Sequence, residues 1–486
     1  MVMVHFLLLL LPVALSQLVG TSSDLQPQLV LSKGFSASPS SRFDPFLSLL
    51  TDPLGNFSLG FLRVDRTGLS LVVLHAPSSL PVWTTCQGPG SLSPWSGRTE
   101  LRFNGSLVLS DSSSGEVYWS AGAIGDRVVL LSNSNLQIQR LAKNGKTVGS
   151  FDVVWQSFGF PSDTLVEGQS FSHDMSLTST GGQYSMRLGT DFIGLYANFG
   201  GGEAYGQMYW KHKALEVKAE IMADGGPIFV RVEQDGYLAM YQNGTVPVDV
   251  EPFSTFHRSI STFHLLRLEP DGNLKAYYWT GTSWNVDYQA INEFCELPSP
   301  CGPYGLCKPG EEGCSCLDNH TDHSSGPCTG PISTDLCTSS SRFSVLRRKC
   351  IELPYKELMA YQTALSPEEC EHACESNCSC WGTVYNNVSK FCYPLHYPVQ
   401  TLLSVGDENK LGYFKMVATD PHHKESRRTG FKGAHVLTQV LAGIATAGMI
   451  TGYRAWSQRK GRGRKWYKDI GSDSLGSMEF ELTGTS

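Results

Sequence analysis

From about Leu29 to Glu167 the chain alternates short apolar runs with clusters of Gly, Asn, Asp and Ser. The runs Asn56-Phe-Ser-Leu-Gly-Phe-Leu-Arg63, Leu69-Ser-Leu-Val-Val-Leu74, Gly105-Ser-Leu-Val-Leu109 and Arg127-Val-Val-Leu-Leu131 are examples. Runs this short, bounded by turn residues, predict strands, and helical periodicity is almost absent. A turn placed before a strand recurs at Asn104–Asp111 and Glu269–Lys275, which predicts two related β domains in tandem. One segment reads differently. In Ser366-Pro-Glu-Glu-Cys-Glu-His-Ala-Cys374, Ser366 suits a helix N-cap, Pro367 the first turn and Glu369 the capping-box position. Cys370 and Cys374 then share one helix face.

The two ends carry longer apolar runs. Phe6–Ala14 is followed by small residues at Ala14 and Ser16, the spacing a signal peptidase accepts. It falls short of the roughly 20 residues that cross a bilayer, so residues 1–16 read as a cleaved signal peptide. Residues 434–453 contain no Asp, Glu, Lys or Arg and have the length of a spanning helix, diluted by Thr438, Gln439, Thr446 and Thr451. The basic cluster Arg454, Arg459, Lys460, Arg462, Arg464, Lys465 and Lys468 predicts a cytosolic tail, 454–486, behind a stalk at 418–433. The expectation is a single-pass type I plasma-membrane protein with its N-terminus outside. Gly448 and Gly452 form a GxxxG through which two helices can approach, in a homodimer or with another receptor.

Topology decides how the cysteines read. Only Cys86 of 14 lies in the first 294 residues, and the other thirteen fall between Cys295 and Cys392. In a reducing compartment such a cluster suggests zinc; behind a signal peptide it suggests disulfides. Cys295, Cys301, Cys307, Cys314, Cys316 and Cys328 allow fifteen connectivities. Cys337, Cys350, Cys370, Cys374, Cys378, Cys380 and Cys392 leave one odd, as is Cys86; these are left to pair, stay free or bridge two chains. Sequons at Asn56, Asn104, Asn243, Asn319, Asn377 and Asn387 all precede the apolar segment, as N-glycosylation of an extracellular part requires.

The net charge of −7, with no basic stripe before the tail, argues against nucleic acid. No G-x-S-x-G or H-E-x-x-H occurs, and residues 454–486 hold no Gly-rich phosphate loop, HRD or DFG. Gly200-Gly201-Gly202 reads as a turn and His422-His423 as solvated. The expectation is no enzyme, with no catalytic, cofactor-binding or metal-binding residues.

Four motifs in order carry a family resemblance. Val154-Trp-Gln-Ser-Phe-Gly-Phe-Pro-Ser-Asp-Thr-Leu165, Arg267-Leu-Glu-Pro-Asp-Gly-Asn-Leu-Lys-Ala-Tyr-Tyr-Trp279, Cys295–Cys307 and Glu369–Cys380 resemble signatures of the plant S-domain family, the S-locus glycoproteins and bulb-lectin receptor-like kinases. The resemblance covers about residues 28 to 416. It implies a mostly β, multidomain chain. A bulb-type lectin-like β-prism at 28–168 would precede a second S-locus-type β domain at 169–292. An EGF-like module at 293–330 and an α+β PAN/apple domain at 335–417 would follow. It also implies the pairs Cys295–Cys307, Cys301–Cys314, Cys316–Cys328, Cys370–Cys392 and Cys374–Cys380. Mannose-binding bulb lectins carry Q-x-D-x-N-x-V-x-Y. The nearest match, Leu109–Tyr118, keeps Asp111, Val117 and Tyr118 but lacks the glutamine and asparagine. The expected function is that of a receptor-like glycoprotein without a kinase domain. It would bind an extracellular protein, peptide or glycan, or a receptor kinase; the alternative is a surface lectin without signalling.

Overall fold

Every strand from Leu31 to Gln156 joins one of three antiparallel sheets. The sequence pattern explains why. In Thr99–Phe103 the burial alternates, with Thr99, Leu101 and Phe103 inside and Arg102 outside, as a pleated strand with one dry face requires. Gly68–His75 is buried throughout, matching a run that is apolar but for Ser70 and the closing His75. The computed structural model describes residues 27–417 except 40–44, 86–91, 143–149, 201–205, 218, 257–261, 312, 319–327, 329–335 and 338–342. The expected signal peptide, Cys86, Asn319, the stalk, the spanning segment with Gly448 and Gly452, and the tail lie outside the described residues. Among those described, no helix is long and apolar enough to cross a membrane.

The three sheets are threaded in a nested order. The first strand, Leu31–Ser32, pairs with Arg127–Leu130, ahead of Leu136–Leu141 and Phe151–Gln156. The second, Phe35–Ala37, completes the sheet of Thr99–Phe103, Leu107–Asp111 and Val117–Ser120. The third, Phe46–Thr51, runs on directly into Phe57–Arg63, Gly68–His75 and Leu80–Thr84. Residues 164–289 repeat this order. Thr164–Val166 joins the last three strands, Ser170–Phe171 the middle three, and Leu177–Thr178 the three that follow it.

The sheets of the first half meet at three tryptophans, each on an edge strand of its sheet. Trp83, Trp119 and Trp155 pack edge to face, with ring centroids 5.9, 6.0 and 5.9 Å apart and planes 72–75° to one another. Such pairs contribute about 0.5–1.5 kcal/mol each beyond the area they bury. Trp83 Nε1 donates to the Phe160 carbonyl at 2.8 Å, and the Phe160 ring stacks on Trp155. The Trp-Gln-Ser motif is therefore structural: Trp155 completes the triad, Gln156 Oε1 accepts from Asn135 Nδ2, and Ser157 Oγ accepts from the Leu136 N–H.

Beyond residue 289 the segments share structure. The cysteine-rich strand Gly305–Cys307 pairs antiparallel with Cys314–Cys316 and parallel with Leu402–Ser404, nearly 100 residues on. One apolar core runs from Leu165 through Leu306 and Leu336 to Phe414. The last segment sets helix Pro367–Glu375 against a five-stranded sheet. Ser366 Oγ accepts from the Glu369 N–H, and Glu369 Oε2 accepts from the Leu365 N–H, one residue before the cap. At the other end the buried Lys415 Nζ donates to the carbonyls of Cys374 at 2.9 Å and Asn377 at 3.0 Å. It adds a second donor to two carbonyls at the helix end that also accept the N–H groups of Asn377 and Cys380.

Truncating Trp155 to Ala is expected to lower stability by about 3–5 kcal/mol, because the triad has no other side chain to fill the gap. Denaturant unfolding of wild type and variant would measure it. Replacing Cys370 and Cys392 together by Ser opens a loop of sequence separation 22 that ties the helix to strand Phe391–Leu395. That is expected to cost about 3 kcal/mol, read in the same assay.

Candidate functional site

The hairpin between Leu107–Asp111 and Val117–Ser120 is where a mannose-type site is expected. Here the Asp111 carboxylate is engaged by its own turn. Oδ1 accepts from Ser113 Oγ at 2.6 Å and from the N–H groups of Ser113 and Ser114 at 2.8 and 2.9 Å, and Oδ2 lies 3.7 Å from Arg98 Nε. The Ser113 hydroxyl foremost, then the two N–H groups, hold the carboxyl down at about 2. Val117 is 58% exposed and Tyr118 partly covered, so the three matching residues remain neighbours. The carboxylate oxygen that would meet a sugar hydroxyl already closes the turn.

The described sequon asparagines, Asn56, Asn104, Asn243, Asn377 and Asn387, are all exposed. The Asn377 side chain accepts from Ser379 N–H and Oγ at 3.0 and 2.8 Å, and that of Asn387 from Lys390 Nζ at 3.0 Å. The disulfides join Cys295 to Cys307, Cys301 to Cys314, Cys316 to Cys328, Cys370 to Cys392 and Cys374 to Cys380. A sixth, Cys337–Cys378, was left unassigned by the sequence, and Cys350 is a free thiol.

One hydroxyl–imidazole–carboxylate cluster invites a catalytic reading. His264 Nε2 lies 3.2 Å from Thr255 Oγ1 and 3.6 Å from Asp287 Oδ2, and Thr255 Oγ1 donates to Asp287. The hydroxyl is thus spent on the carboxylate. Thr255, His264 and Asp287 are 3%, 1% and 2% exposed, so no substrate reaches them. The cluster pins strand His264–Leu268 to Trp284–Gln289. No group of three or more His, Cys, Asp or Glu among the described residues is placed to hold a metal.

The open site lies elsewhere. A cleft of about 670 Å³ opens where the second β half, the cysteine-rich segment and the last segment converge. Gln183 and Asn198 flank the paired strands Tyr184–Leu188 and Phe192–Ala197 and are tied by the Asn198 N–H donating to the Gln183 carbonyl at 2.8 Å. Asp271 is presented by the turn of the Arg267–Trp279 motif. Gly272, at φ +86°, donates its N–H to the Glu269 carbonyl there. A Cβ on Gly272 would come within 2.6 Å of Pro298 Cγ, so glycine alone lets the turn lie against the cysteine-rich segment. Asn273 fixes the turn from behind, Nδ2 donating to the Ile291 carbonyl and Oδ1 accepting from the Ile291 N–H. On the far wall Ser299 Oγ donates to Gln400 Oε1 at 3.1 Å, joining two segments about a hundred residues apart. Tyr184 lines the floor; burial foremost, and the Asp271 charge, push its phenol up to about 12, so it stays protonated. No sequence pattern marks this cleft, although the Asp271–Asn273 turn lies inside one of the four motifs.

Comparisons with known proteins agree on one group. Residues 231–323 match the model of the S-locus glycoprotein domain. A PAN domain-containing protein of Arabidopsis thaliana is 46% identical over 466 residues, 94% of this chain and 93% of that protein. A G-type lectin S-receptor-like serine/threonine-protein kinase of the same plant is 26% identical over 72% of this chain. The match spans only 41% of the kinase's own length. Among solved structures, a monomeric mannose-binding lectin of Gastrodia elata matches 27% of this chain and 96% of its own at 19% identity. A two-domain, fetuin-binding lectin of Scilla campanulata matches 54% of this chain and all of its own at 15%. Both have TM-scores of 0.20, too low to carry an argument.

Asp111 gives a pH test. A carboxyl depressed from 3.8 to about 2 adds stability above its unfolded value, and that stability is lost as pH falls through the folded one. Wild type is therefore expected to lose stability between about pH 4 and pH 2 more steeply than Asp111→Asn, with parallel curves above that window, in thermal melts taken as a function of pH.

Proposed function

The chain belongs to the plant S-domain family of S-locus glycoproteins and bulb-lectin receptor-like proteins, and on that premise we propose that it is a receptor-like membrane glycoprotein. Residues 28–417 stand outside the cell and bind an extracellular ligand or a partner receptor. Two β-prisms, at 28–168 and 169–292, an EGF-like module at 293–330 and a PAN/apple domain at 335–417 make up this part. The helix at 434–453 carries it in the plasma membrane, behind a signal peptide at 1–16 and ahead of the tail at 454–486. The identical threading of the two β halves supports the tandem prisms. The exposed sequons and the disulfide framework suit export.

The observation that carries the reading is the cleft. Three successive segments build it, its walls are fixed by hydrogen bonds within the chain, and its lining offers groups that recognise but none arranged to react. The names of the relatives point the same way, since kinases with an S-receptor-like part match over less than half of their length.

Affinity purification of the tagged full-length chain from plant membranes, with alkaline carbonate extraction beside it, tests the proposal. The chain is expected to stay in the carbonate pellet and to recover a receptor kinase, and Gly448→Leu with Gly452→Leu, or deletion of 28–417, is expected to lose that kinase. Release by carbonate with no kinase recovered would overturn the reading. Recovery of wall polysaccharide alone would replace it with the surface lectin.

A further inference from the structure

Resting on the reading that residues 28–417 recognise a ligand, we infer that the cleft is a saccharide site distinct from the Asp111 hairpin, taking a neutral oligosaccharide through Gln183, Asn198 and Asp271. Its volume of about 670 Å³ in a half-open cleft suits one or a few sugar rings lying against its walls. Gln183 and Asn198 are exposed. Asn198 Oδ1 accepts from the Gly200 N–H, which leaves its Nδ2 as a donor to the cleft, and the Gln183 amide bonds no other described residue. Asp271 Oδ1 takes the Asn273 N–H at 2.9 Å and turns Oδ2 outward, 3.8 Å from Lys275 Nζ. A sugar hydroxyl both donates and accepts, so the amide donors and acceptors and the carboxylate that line this one cleft suit the hydroxyls of a sugar. Phe294, 39% exposed at the rim, offers an apolar surface for the C–H face of a sugar.

Charge and shape narrow the class. Among the described residues Asp271 is the one charged side chain lining the cleft, and the Lys275 ammonium 3.8 Å from its Oδ2 already offsets it, so the cleft holds no surplus cation to attract a uronate or phosphate. A proline-rich peptide needs open, parallel aromatic ridges. Here Tyr184 and Phe199 are only 4% and 8% exposed and leave Phe294 alone at the surface. The fixed walls reduce the ordering that binding would otherwise require.

The test uses the full-length chain from plant cells, titrated by calorimetry with mannotetraose, cellotetraose and xylotetraose, and with tetragalacturonate and a polyproline decapeptide as controls. At least one neutral tetraose is expected to bind, and tetragalacturonate and the decapeptide are not. The double variant Gln183→Ala, Asn198→Ala, at exposed positions, is expected to melt with wild type and to bind about tenfold or more weakly. Asp271→Asn, which keeps the shape, is expected to weaken binding as well, and Asp111→Asn to leave it unchanged. The inference falls if no neutral tetraose binds, if the double variant binds as wild type does, if Asp111→Asn abolishes binding, or if either control binds better. A chain that recovers a receptor kinase but binds no tetraose loses this inference and keeps the receptor reading. Binding through the cleft by a chain that carbonate releases and that recovers no kinase keeps the inference and removes the receptor reading.

Discussion

Arg267 holds three segments of the chain at once. Its Nε donates to Thr164 Oγ1 at 2.8 Å, across the register pair that Thr164 and Arg267 form, and its Nη2 donates to the Pro81 carbonyl in the last strand of the third sheet. Thr164 follows Asp163, whose carboxylate accepts from the Thr164 hydroxyl in turn. Two of the four sequence motifs thus meet in one cluster, and the first half is fastened to the second through it. The pairing closes a loop of 103 residues. The entropy of that closure is offset only because the whole strand His264–Leu268 docks with it, burying Leu265, Leu266 and Leu268 completely. Four residues after Arg267 the same ribbon turns at Asp271 and becomes a wall of the cleft. The position of the candidate site therefore follows from the same strand that unites the halves.

The cysteine-rich segment shows a second constraint. It is too small to enclose a core of its own, and such segments depend on cross-links or on neighbours. This one uses both. Three disulfides fix its path, and its strand Gly305–Cys307 completes a sheet with Leu402–Ser404, while Leu306 and Leu317 join the core that continues to Phe414. Tyr304, completely buried, donates to the carbonyl of Lys415, whose own ammonium group closes the helix Pro367–Glu375. Segments that read as separate modules along the chain are mechanically one wall, and a ligand in the cleft would touch both sides of it.

Two buried histidines mark where the β halves are tightest. His75 stacks on Phe263 with centroids 5.4 Å apart and meets Trp279 and Trp284 edge-on, and burial alone pushes its imidazole down. His264 sits in the Thr255–Asp287 cluster. Both are packing elements. The Trp83–Trp119–Trp155 triad is another: three large rings packed on one another and anchored by Phe160 join the sheets of the first half, and polar chemistry is left to its turns.

What the sequence determined by itself is local. Strands at Thr99–Phe103 and Gly68–His75 follow from the order of apolar and turn residues, because side chains alternate across a strand with a fixed period. The helix at Pro367–Glu375 follows from Ser366, Pro367 and Glu369, whose interactions span four residues. The tertiary structure alone decided everything that depends on distant segments meeting. The parallel pairing of 305–307 with 402–404, the partner of Cys337 and the three tryptophans in contact have no signature in any window of sequence. The cleft belongs with them. Gln183, Asn198, Asp271, Ser299 and Gln400 are ordinary surface residue types where they stand in the chain, and they become a site because three segments bury their apolar faces against one another and leave these polar ends facing a shared gap.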